Sequence, residues 1–318
     1  MKKMKPKAKQ KVKQKMKQTA ASVLTKLSRK PDSHKGDNGV VLIIGGSETY
    51  VGAPALAALA ALRGGCDLAI VAAPDKTAWA ISALSPDLIT VKLKGAVLDR
   101  SHAKQLLKYI RKADVILVGP GAGLEKTTRA LINTVIALAQ KLGKFLVIDA
   151  DALKCVQLNK VSRAILTPHA KELELMLKNN QQSVLAQKIA RSRDMQAKSA
   201  LLRKEISSVL RRHNVILLKG AHDVIISAKK TIAIRGGNPG MTVGGTGDVL
   251  AGLCASYLAQ TGDLLFSAVH ASKMNKAIGD LLLAKSNFGF GFIASDFLRE
   301  LKKLEKIKKI KKSKKSKR

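Results

Sequence analysis

Short, uniformly apolar segments recur along this 318-residue chain and constrain its fold more than any other feature. Helical patterns separate most of them. The segments are residues 40–44, 68–72, 88–91, 115–118, 145–148, 164–166 and 215–218. Strands that are apolar on both faces and alternate with helices predict a mostly parallel sheet covered by helices on both sides. We therefore predict an α/β fold with a mostly parallel central sheet, followed by a late antiparallel hairpin from residues 224–227 and 231–234.

The formal net charge of +36 is distributed unevenly. The first 30 residues contribute +12 and the last 20 contribute +10, which leaves about +14 for the body. Lysines at nearly every second position of residues 1–20 cannot bury one face, so residues 1–30 are predicted to be a basic, disordered tail. Residues 31–298 are predicted to form one domain, and residues 299–318 a basic amphipathic tail with apolar residues three apart. The basic stretch 181–213 is predicted to be a long surface helix.

The basic tails allow two interpretations. They could make weak, nonspecific contacts with a polyanion such as RNA, DNA or anionic lipid, or they could have no binding function. No aromatic residues interleave the lysines, so base stacking is not indicated. No segment reaches the roughly 18 uninterrupted apolar residues of a membrane span. Three widely separated cysteines indicate neither a metal site nor a disulfide framework, and they favour a reducing, cytoplasmic location.

A glycine-rich run at residues 238–252 precedes an apolar helical pattern. It contains the sequence Gly-Gly-Thr-Gly-Asp at residues 244–248. A helix N-terminus of this kind presents free backbone N–H groups and the positive end of its dipole to an anion. Asp248, on the first turn, can take a proton from a hydroxyl held beside that anion. The run therefore predicts a phosphoryl-transfer site.

Further polar motifs follow five of the predicted strands. They are residues 45–54, 119–123, 149–153, 167–172 and 219–223. Each motif alone also fits a tight turn or a helix cap, and for Asp149 and Asp151 a capping role and a site role both stay open. In a doubly wound sheet, however, ligands bind beyond the carboxyl ends of the strands. The motifs together predict one site at that edge.

This ordered set resembles the ADP- or ATP-dependent NAD(P)H-hydrate dehydratases, which have a ribokinase-like fold. The resemblance extends from about His34 to Ser295 and is most specific in residues 149–153, 167–172 and 238–252. Members of this family repair NADH or NADPH hydrated at C6: a nucleotide phosphorylates the hydroxyl, and phosphate then leaves. The resemblance implies hydrated NADH or NADPH and an adenine nucleotide as partners, Mg²⁺ as cofactor, and a homo-oligomer. Because the chain carries this domain alone, the resemblance favours ADP.

The resemblance also implies individual roles. Asp248 would be the catalytic base, and the N–H groups of Gly245, Thr246 and Gly247 would hold the transferring phosphoryl group. The pocket for the hydrated cofactor would be lined by Ala53, Gly121, Gly123, His169 and Asp248. The nucleotide would be bound by Lys219, Gly220, Ala221, His222, Asp223 and Gly247. Glu172 would organise Mg²⁺ through water.

Two alternative functions stay open from the sequence. The first is a kinase of the same fold that phosphorylates a small vitamin precursor, since such kinases share the glycine-rich loop and its aspartate. The residues at 167–169 and 238–252 favour the dehydratase over this alternative. The second is a polyanion-binding protein that reuses the fold, for which substitution of Asp248 would have no effect.

Overall fold

The computed structural model describes residues 6–27, 29–192, 194–286 and 289–303. It contains one sheet in the order β3-β2-β1-β4-β5-β6-β7-β8-β9. The strands are β1 Val40–Ile44, β2 Leu68–Pro74, β3 Ile89–Leu93, β4 Val115–Val118, β5 Phe145–Ile148, β6 Ala164–Leu166, β7 Val215–Leu218, β8 Asp223–Ile226 and β9 Thr231–Ile234. Strands β1 to β7 pair in parallel, whereas β8 and β9 pair antiparallel. The predicted α/β fold and the late hairpin are therefore confirmed.

Helices cover both faces of this sheet. They are α1 Pro6–Lys26, α2 Gly52–Gly64, α3 Asp75–Leu84, α4 Ala103–Lys112, α5 Lys126–Lys141, α6 Ala170–Asn179, α7 Ser183–Arg191, α8 Met195–Glu205, α9 Ser207–Arg211, α10 Thr246–Thr261, α11 Leu264–Lys285 and α12 Ala294–Lys303. Alternate strand residues enter two separate cores, with Val41 and Ile43 on the side of α1–α3 and α10–α12. Leu42 and Ile44 face α4–α9. This two-sided burial explains why the strands are uniformly apolar.

The N-terminal segment differs from the prediction. Instead of being disordered, Pro6–Lys26 forms α1, which packs along α11. Met16 and Ala20 are buried at 5% and 0% exposure, and Val12 packs against the same core. These residues are four apart and so share one helix face, which the alternating lysines obscure in the sequence. At the end of α1, Lys26 pairs with Asp263 beside the start of α11 (2.8 Å).

Of two further helical predictions, one is wrong and the other is covered only in part by the described residues. The stretch 181–213 is three short helices, α7, α8 and α9, rather than one long helix. Asp194 caps the N-terminus of α8 by accepting from the N–H groups of Gln196 and Ala197, which starts a new helix there. In the C-terminal segment, α12 is described as far as Lys303 and buries Leu301, and the predicted apolar positions at 304, 307 and 310 lie outside the described residues.

Cys66, Cys155 and Cys254 are free thiols, and burial raises the pKa of each. Across the described ranges, no helix combines the length and the apolar character that crossing a membrane requires.

Candidate functional site

The site begins where the chain leaves β1 and β4, two adjacent parallel strands. From β1 the chain continues to β2 on one side, and from β4 to β5 on the other, so a crevice opens between the two strand ends. The loops that follow touch through their backbones, since the Gly46 N–H donates to the Pro120 carbonyl (2.9 Å). Small residues are required where these two loops touch, because a Cβ on Gly45 would lie 2.2 Å from the Pro120 carbonyl oxygen.

Gly121 and Gly123, two of the predicted pocket residues for the hydrated cofactor, lie on the loop after β4, and the third, Ala53, lies on the first turn of α2. Gly121 has a φ of +61°, and a Cβ there would lie 2.6 Å from Tyr50 Cβ and 3.3 Å from Ala53 Cβ. A side chain is therefore excluded at Gly121 by both conformation and space. The N–H of Gly123 donates to Asp151 Oδ2 (3.0 Å), so Asp151 holds the second loop in place.

Asp149 follows β5 and is almost fully buried. Its Oδ1 accepts from the Thr167 hydroxyl (2.6 Å) and from Lys219 Nζ (3.0 Å). The next residue, Ala150, has a φ of +49°, a left-handed conformation that is strained for alanine. Asp149 also precedes the 3₁₀ helix Ala150–Lys154, but its side chain makes no capping hydrogen bond there. Both aspartates of this motif therefore act through side-chain contacts that join neighbouring strand ends.

Lys219, directly after β7, joins two carboxylates. Its ammonium lies 3.0 Å from Asp149 Oδ1 and 3.4 Å from Glu172 Oε2. Burial acts to lower the pKa of Lys219, but the two carboxylates outweigh it and the net shift is upward. A Cβ on Gly247 would lie 3.6 Å from the same ammonium, so Lys219 also borders the glycine-rich loop. It therefore remains charged at neutral pH, at the boundary between the carboxylates and the predicted phosphoryl site.

His169 and Glu172 form a reciprocal cap at the start of α6. The His169 Nδ1 accepts from the N–H groups of Lys171 and Glu172, and the Glu172 carboxylate accepts from the His169 N–H (2.8 Å). Because Nδ1 is an acceptor, these bonds assign the proton of the neutral ring to Nε2. The His169 side chain is 53% exposed, and its Nε2 lies 3.5 Å from Glu172 Oε1.

The glycine-rich run forms the N-terminus of α10. Gly245 is the N-cap residue with a φ of +93°, and a Cβ there would lie 2.7 Å from Leu56 Cδ1. The first intrahelical hydrogen bond runs from the Val249 N–H to the Gly245 carbonyl (3.1 Å). The N–H groups of residues 245–247 precede it and are directed towards the open end of the helix. The Thr246 hydroxyl is turned back to the Met241 carbonyl (2.8 Å), which leaves only its N–H for an anion.

Asp248 lies on this first turn, half-buried and near three other carboxylates. Burial, and then the negative charge of Asp149, raises the pKa of Asp248 to about 7. The charges of Glu172 and Asp151 add to this shift, and Lys219 opposes it. A carboxylate with a pKa near neutrality is a better proton acceptor than an ordinary aspartate and is still substantially ionised at pH 7.

The predicted nucleotide segment, residues 219–223, divides into two parts. Gly220, Ala221 and His222 are exposed and available to a ligand. Asp223 is buried instead, and its carboxylate contacts Lys276 Nζ (3.2 Å), the Ser272 hydroxyl (2.7 Å) and the Gly220 N–H (3.1 Å). Direct contact between Asp223 and the nucleotide stays a prediction.

Helix α11 supplies residues that sequence reasoning missed. Lys276 donates to the carbonyls of Gly220 (3.0 Å) and Ala221 (3.1 Å), while Asn275 donates to the Thr246 carbonyl (3.4 Å). One helix thus fixes both the nucleotide segment and the glycine-rich loop. A signal was available, since a serine, an asparagine and a lysine interrupt an otherwise apolar stripe at residues 272, 275 and 276.

A dedicated metal site does not fit the side chains present. Within the described part of the chain, no group of three or more His, Cys, Asp or Glu side chains could hold a metal ion. Glu172, the predicted Mg²⁺ residue, is already bound to Lys219 and to the His169 N–H. Its carboxylate therefore acts as an ion-pair and capping group in this structure.

The strand order, the loop at α10 and the strand-end polar residues define the chain as an α/β protein of the ribokinase-like class. A solved ribokinase-like superfamily protein of Enterococcus faecalis superimposes with a TM-score of 0.74 at 27% identity, over 92% of this chain and 94% of that chain. Within this class, the family model for NAD(P)H-hydrate dehydratase matches residues 41–303. The chain belongs to the NAD(P)H-hydrate dehydratase family.

Two relatives place the chain more closely. It is 40% identical over 276 residues to a bifunctional NAD(P)H-hydrate repair enzyme Nnr of Pyrobaculum aerophilum, covering 86% of this chain and 52% of the relative. It is 34% identical over 257 residues to an ADP-dependent (S)-NAD(P)H-hydrate dehydratase of Cenarchaeum symbiosum, covering 80% of this chain and 84% of the relative. The chain spans about half the length of the bifunctional relatives it matches.

Proposed function

We propose that the protein dehydrates C6-hydrated NADH or NADPH at the expense of an adenine nucleotide, with ADP as the preferred phosphoryl donor. The observation that carries this proposal is Asp248, a carboxylate with a pKa of about 7 beside the open N-terminus of α10. The family membership and the ADP-dependent relative support the reaction class and the nucleotide. Neither the vitamin-precursor kinase nor the polyanion-binding protein is better supported.

The phosphoryl step follows from the geometry of the loop. The N–H groups of Gly245, Thr246 and Gly247 would hold the peripheral oxygens of the terminal phosphoryl group, where its charge resides. Asp248 would accept the proton of the C6 hydroxyl as that oxygen attacks phosphorus and the nucleotide leaves. Lys219, charged and beside Gly247, would stabilise the negative charge on the transferring group.

The elimination step then restores the nicotinamide. Phosphate leaves C6 as the lone pair of the ring nitrogen moves towards the carbon, and loss of a C5 proton regenerates the double bond. Phosphate is a good leaving group, whereas hydroxide is not, which explains why a nucleotide is consumed. The first turn of α2 at Ala53 and the loop at Gly121 and Gly123 would bind the dinucleotide, and the exposed ring of His169 would contact it.

We propose that Mg²⁺ enters with the nucleotide phosphates rather than at a site built from protein carboxylates. Mg²⁺ keeps several waters and binds phosphate oxygens readily, so few protein ligands are needed. Glu172, already paired with Lys219, would act on the ion only through a water molecule. We further propose a homo-oligomer in the cytoplasm, to be tested by light scattering and by cell fractionation.

The test mixes the protein with hydrated NADH, Mg²⁺ and either ADP or ATP and follows recovery of the reduced-nicotinamide absorbance. We expect recovery with release of one phosphate per NADH formed, faster with ADP. A vitamin-precursor kinase would transfer phosphate to its own substrate and would leave hydrated NADH unchanged. No recovery with either nucleotide would refute the proposed function.

A further inference from the structure

A basic groove lies on the α1 side of the molecule, between α1, β9 and α11. It encloses about 310 Å³ and is lined by Gln18, Thr19, Ser22, Ala233, Ile234, Arg235, Lys273 and Ala277. The lining contains two cations and no carboxylate. Arg235 and Lys273 are both exposed, and among the described residues neither takes part in an ion pair. The groove is therefore a concave surface of unneutralised positive charge.

Helix α1 extends this charge beyond the groove. Its 21 residues include seven lysines and no acid, and Lys11, Lys13 and Lys17 are exposed. The helix is about 30 Å long, close to one turn of a nucleic-acid duplex. Asp280 lies two turns along α11 from Lys273, so it reduces the positive charge at one end without entering the groove. Because α1 is docked on α11, its lysines have fixed positions relative to Arg235 and Lys273.

The chemistry of this face favours a nucleic-acid backbone over a lipid surface. The apolar residues Met16 and Ala20 of α1 are buried against the core, so they cannot insert into a membrane. Of the side chains whose burial the structure describes, the exposed large apolar ones all lie outside α1 and the groove. The residues lining the groove include no aromatic ring, and Phe266 at the start of α11 is covered by Lys26 and stacked on His270, so neither offers a platform for single-stranded bases. Phosphates along a duplex provide the matching charge without base contacts.

We propose that the groove and the exposed lysines of α1 bind the phosphate backbone of double-stranded nucleic acid, independently of sequence. This binding is separate from the proposed dehydratase activity, because the residues named here lie outside the site around Asp248. The proposed binding surface is therefore part of the folded domain, whereas the sequence analysis placed polyanion contacts in the basic tails.

The test measures binding of the full chain to a labelled 20-base-pair DNA duplex by fluorescence anisotropy over a range of salt concentrations. The variant Arg235→Glu/Lys273→Glu is compared with Lys104→Glu/Arg111→Glu, which makes the same charge change on exposed residues of α4, on the other face of the sheet. We expect the groove variant to bind at least about tenfold more weakly, with a shallower salt dependence. The α4 variant should stay within about twofold of the unmodified protein.

Each outcome decides the proposal. Equal losses in the two variants would mean that net charge alone drives binding and would overturn the groove. Binding that is tighter to a single strand of the same sequence, or to vesicles containing phosphatidylserine, would overturn the duplex assignment. Thermal melts of both variants identify unfolding; if the groove variant unfolds, Lys273→Gln alone replaces it, with an expected loss of about threefold.

Discussion

Two aspartates of this molecule, the half-buried Asp248 and the buried Asp223, lie in opposite electrostatic environments. Asp223 contacts Lys276, the Ser272 hydroxyl and the Gly220 N–H, so its charge is fully satisfied. Asp248 is surrounded by other carboxylates, and burial and the charge of Asp149 raise its pKa to about 7. A buried carboxylate with partners stabilises structure, whereas a carboxylate with a raised pKa and no dedicated partner is a candidate proton acceptor.

The largest expected effect is the loss of activity on replacing Asp248. Asp248→Asn removes the proton acceptor while keeping the size of the side chain, so kcat should fall by roughly 10²–10⁴. Initial rates of NADH recovery measure this. The control is Asp263→Asn, a similar change at the N-cap of α11, which should leave kcat within about twofold. An Asp248→Asn enzyme with the unmodified rate would show that another group is the base.

The next largest effect concerns the paired aspartate. Lys276→Met leaves Asp223 buried without its cation and releases the carbonyls of Gly220 and Ala221, so unfolding free energy should fall by roughly 3–5 kcal/mol. Denaturant titrations measure the loss. The double variant Asp223→Asn/Lys276→Met should lose less than the sum of the single variants. Because Lys276 holds the carbonyls of Gly220 and Ala221 in place, Lys276→Met should also raise KM for ADP by a larger factor than it lowers kcat. An unchanged KM would contradict a role of Lys276 in positioning the nucleotide segment.

The pH profile provides a third comparison. As the proposed base, Asp248 would have to be deprotonated, so kcat/KM should rise through about pH 7 and level off above it. The charge of Asp149 raises the pKa of Asp248 and Lys219 lowers it. Asp149→Asn should therefore move the rise to lower pH, and Lys219→Met should move it to higher pH. Shifts in the same direction for both variants would be inconsistent with these electrostatic contributions.

A smaller effect is expected on stability. The folded-state pKa of Asp248 lies above the unfolded value of 3.8, so ionisation progressively destabilises the fold from about pH 4 to pH 7 and by a constant amount above that. Asp248→Asn should therefore be more stable than the unmodified protein at pH 8, by about 1–2 kcal/mol, and no more stable at pH 4. Chemical unfolding at the two pH values checks this, with Asp263→Asn as the reference. An equal difference at both values would rule out the titration of Asp248 as its cause.

The smallest expected effect is at Ala150, whose left-handed backbone precedes Asp151. Ala150→Gly should raise the melting temperature slightly, corresponding to at most about 1 kcal/mol, because glycine adopts this conformation without strain. The matched control is Ala152→Gly, a buried alanine in the same turn, which should lower it. A destabilised Ala150→Gly variant would mean that the methyl contacts outweigh the strain.

Much of the fold was predictable, because strands buried on both faces are apolar throughout and their ends carry the polar motifs. The position of Asp248 was predictable too, since its glycine-rich loop defines a helix N-terminus locally. The partners of Asp223 were not, because Ser272 and Lys276 are about 50 residues away in sequence and only the packing of α11 brings them near. The same holds for Lys219, whose contact with Asp149 depends on the order of β5, β6 and β7 in the sheet.

Helix α1 was missed for a different reason. The prediction for residues 1–30 was based on their composition, because a high net charge is typical of an unfolded chain. Four-residue spacing of Val12, Met16 and Ala20 decides the structure instead, because three apolar side chains on one face suffice when α11 already offers a complementary surface.

The docking of α1 on α11 also determines what happens to the solubility of the protein when its N-terminal residues are removed. Shortening the chain at residue 31 to remove a seemingly dispensable basic extension would uncover the α11 surface that Met16 and Ala20 now shield from water. The shortened protein would keep the groups proposed for catalysis and yet become less soluble, although the segment removed carries twelve cations and no acid.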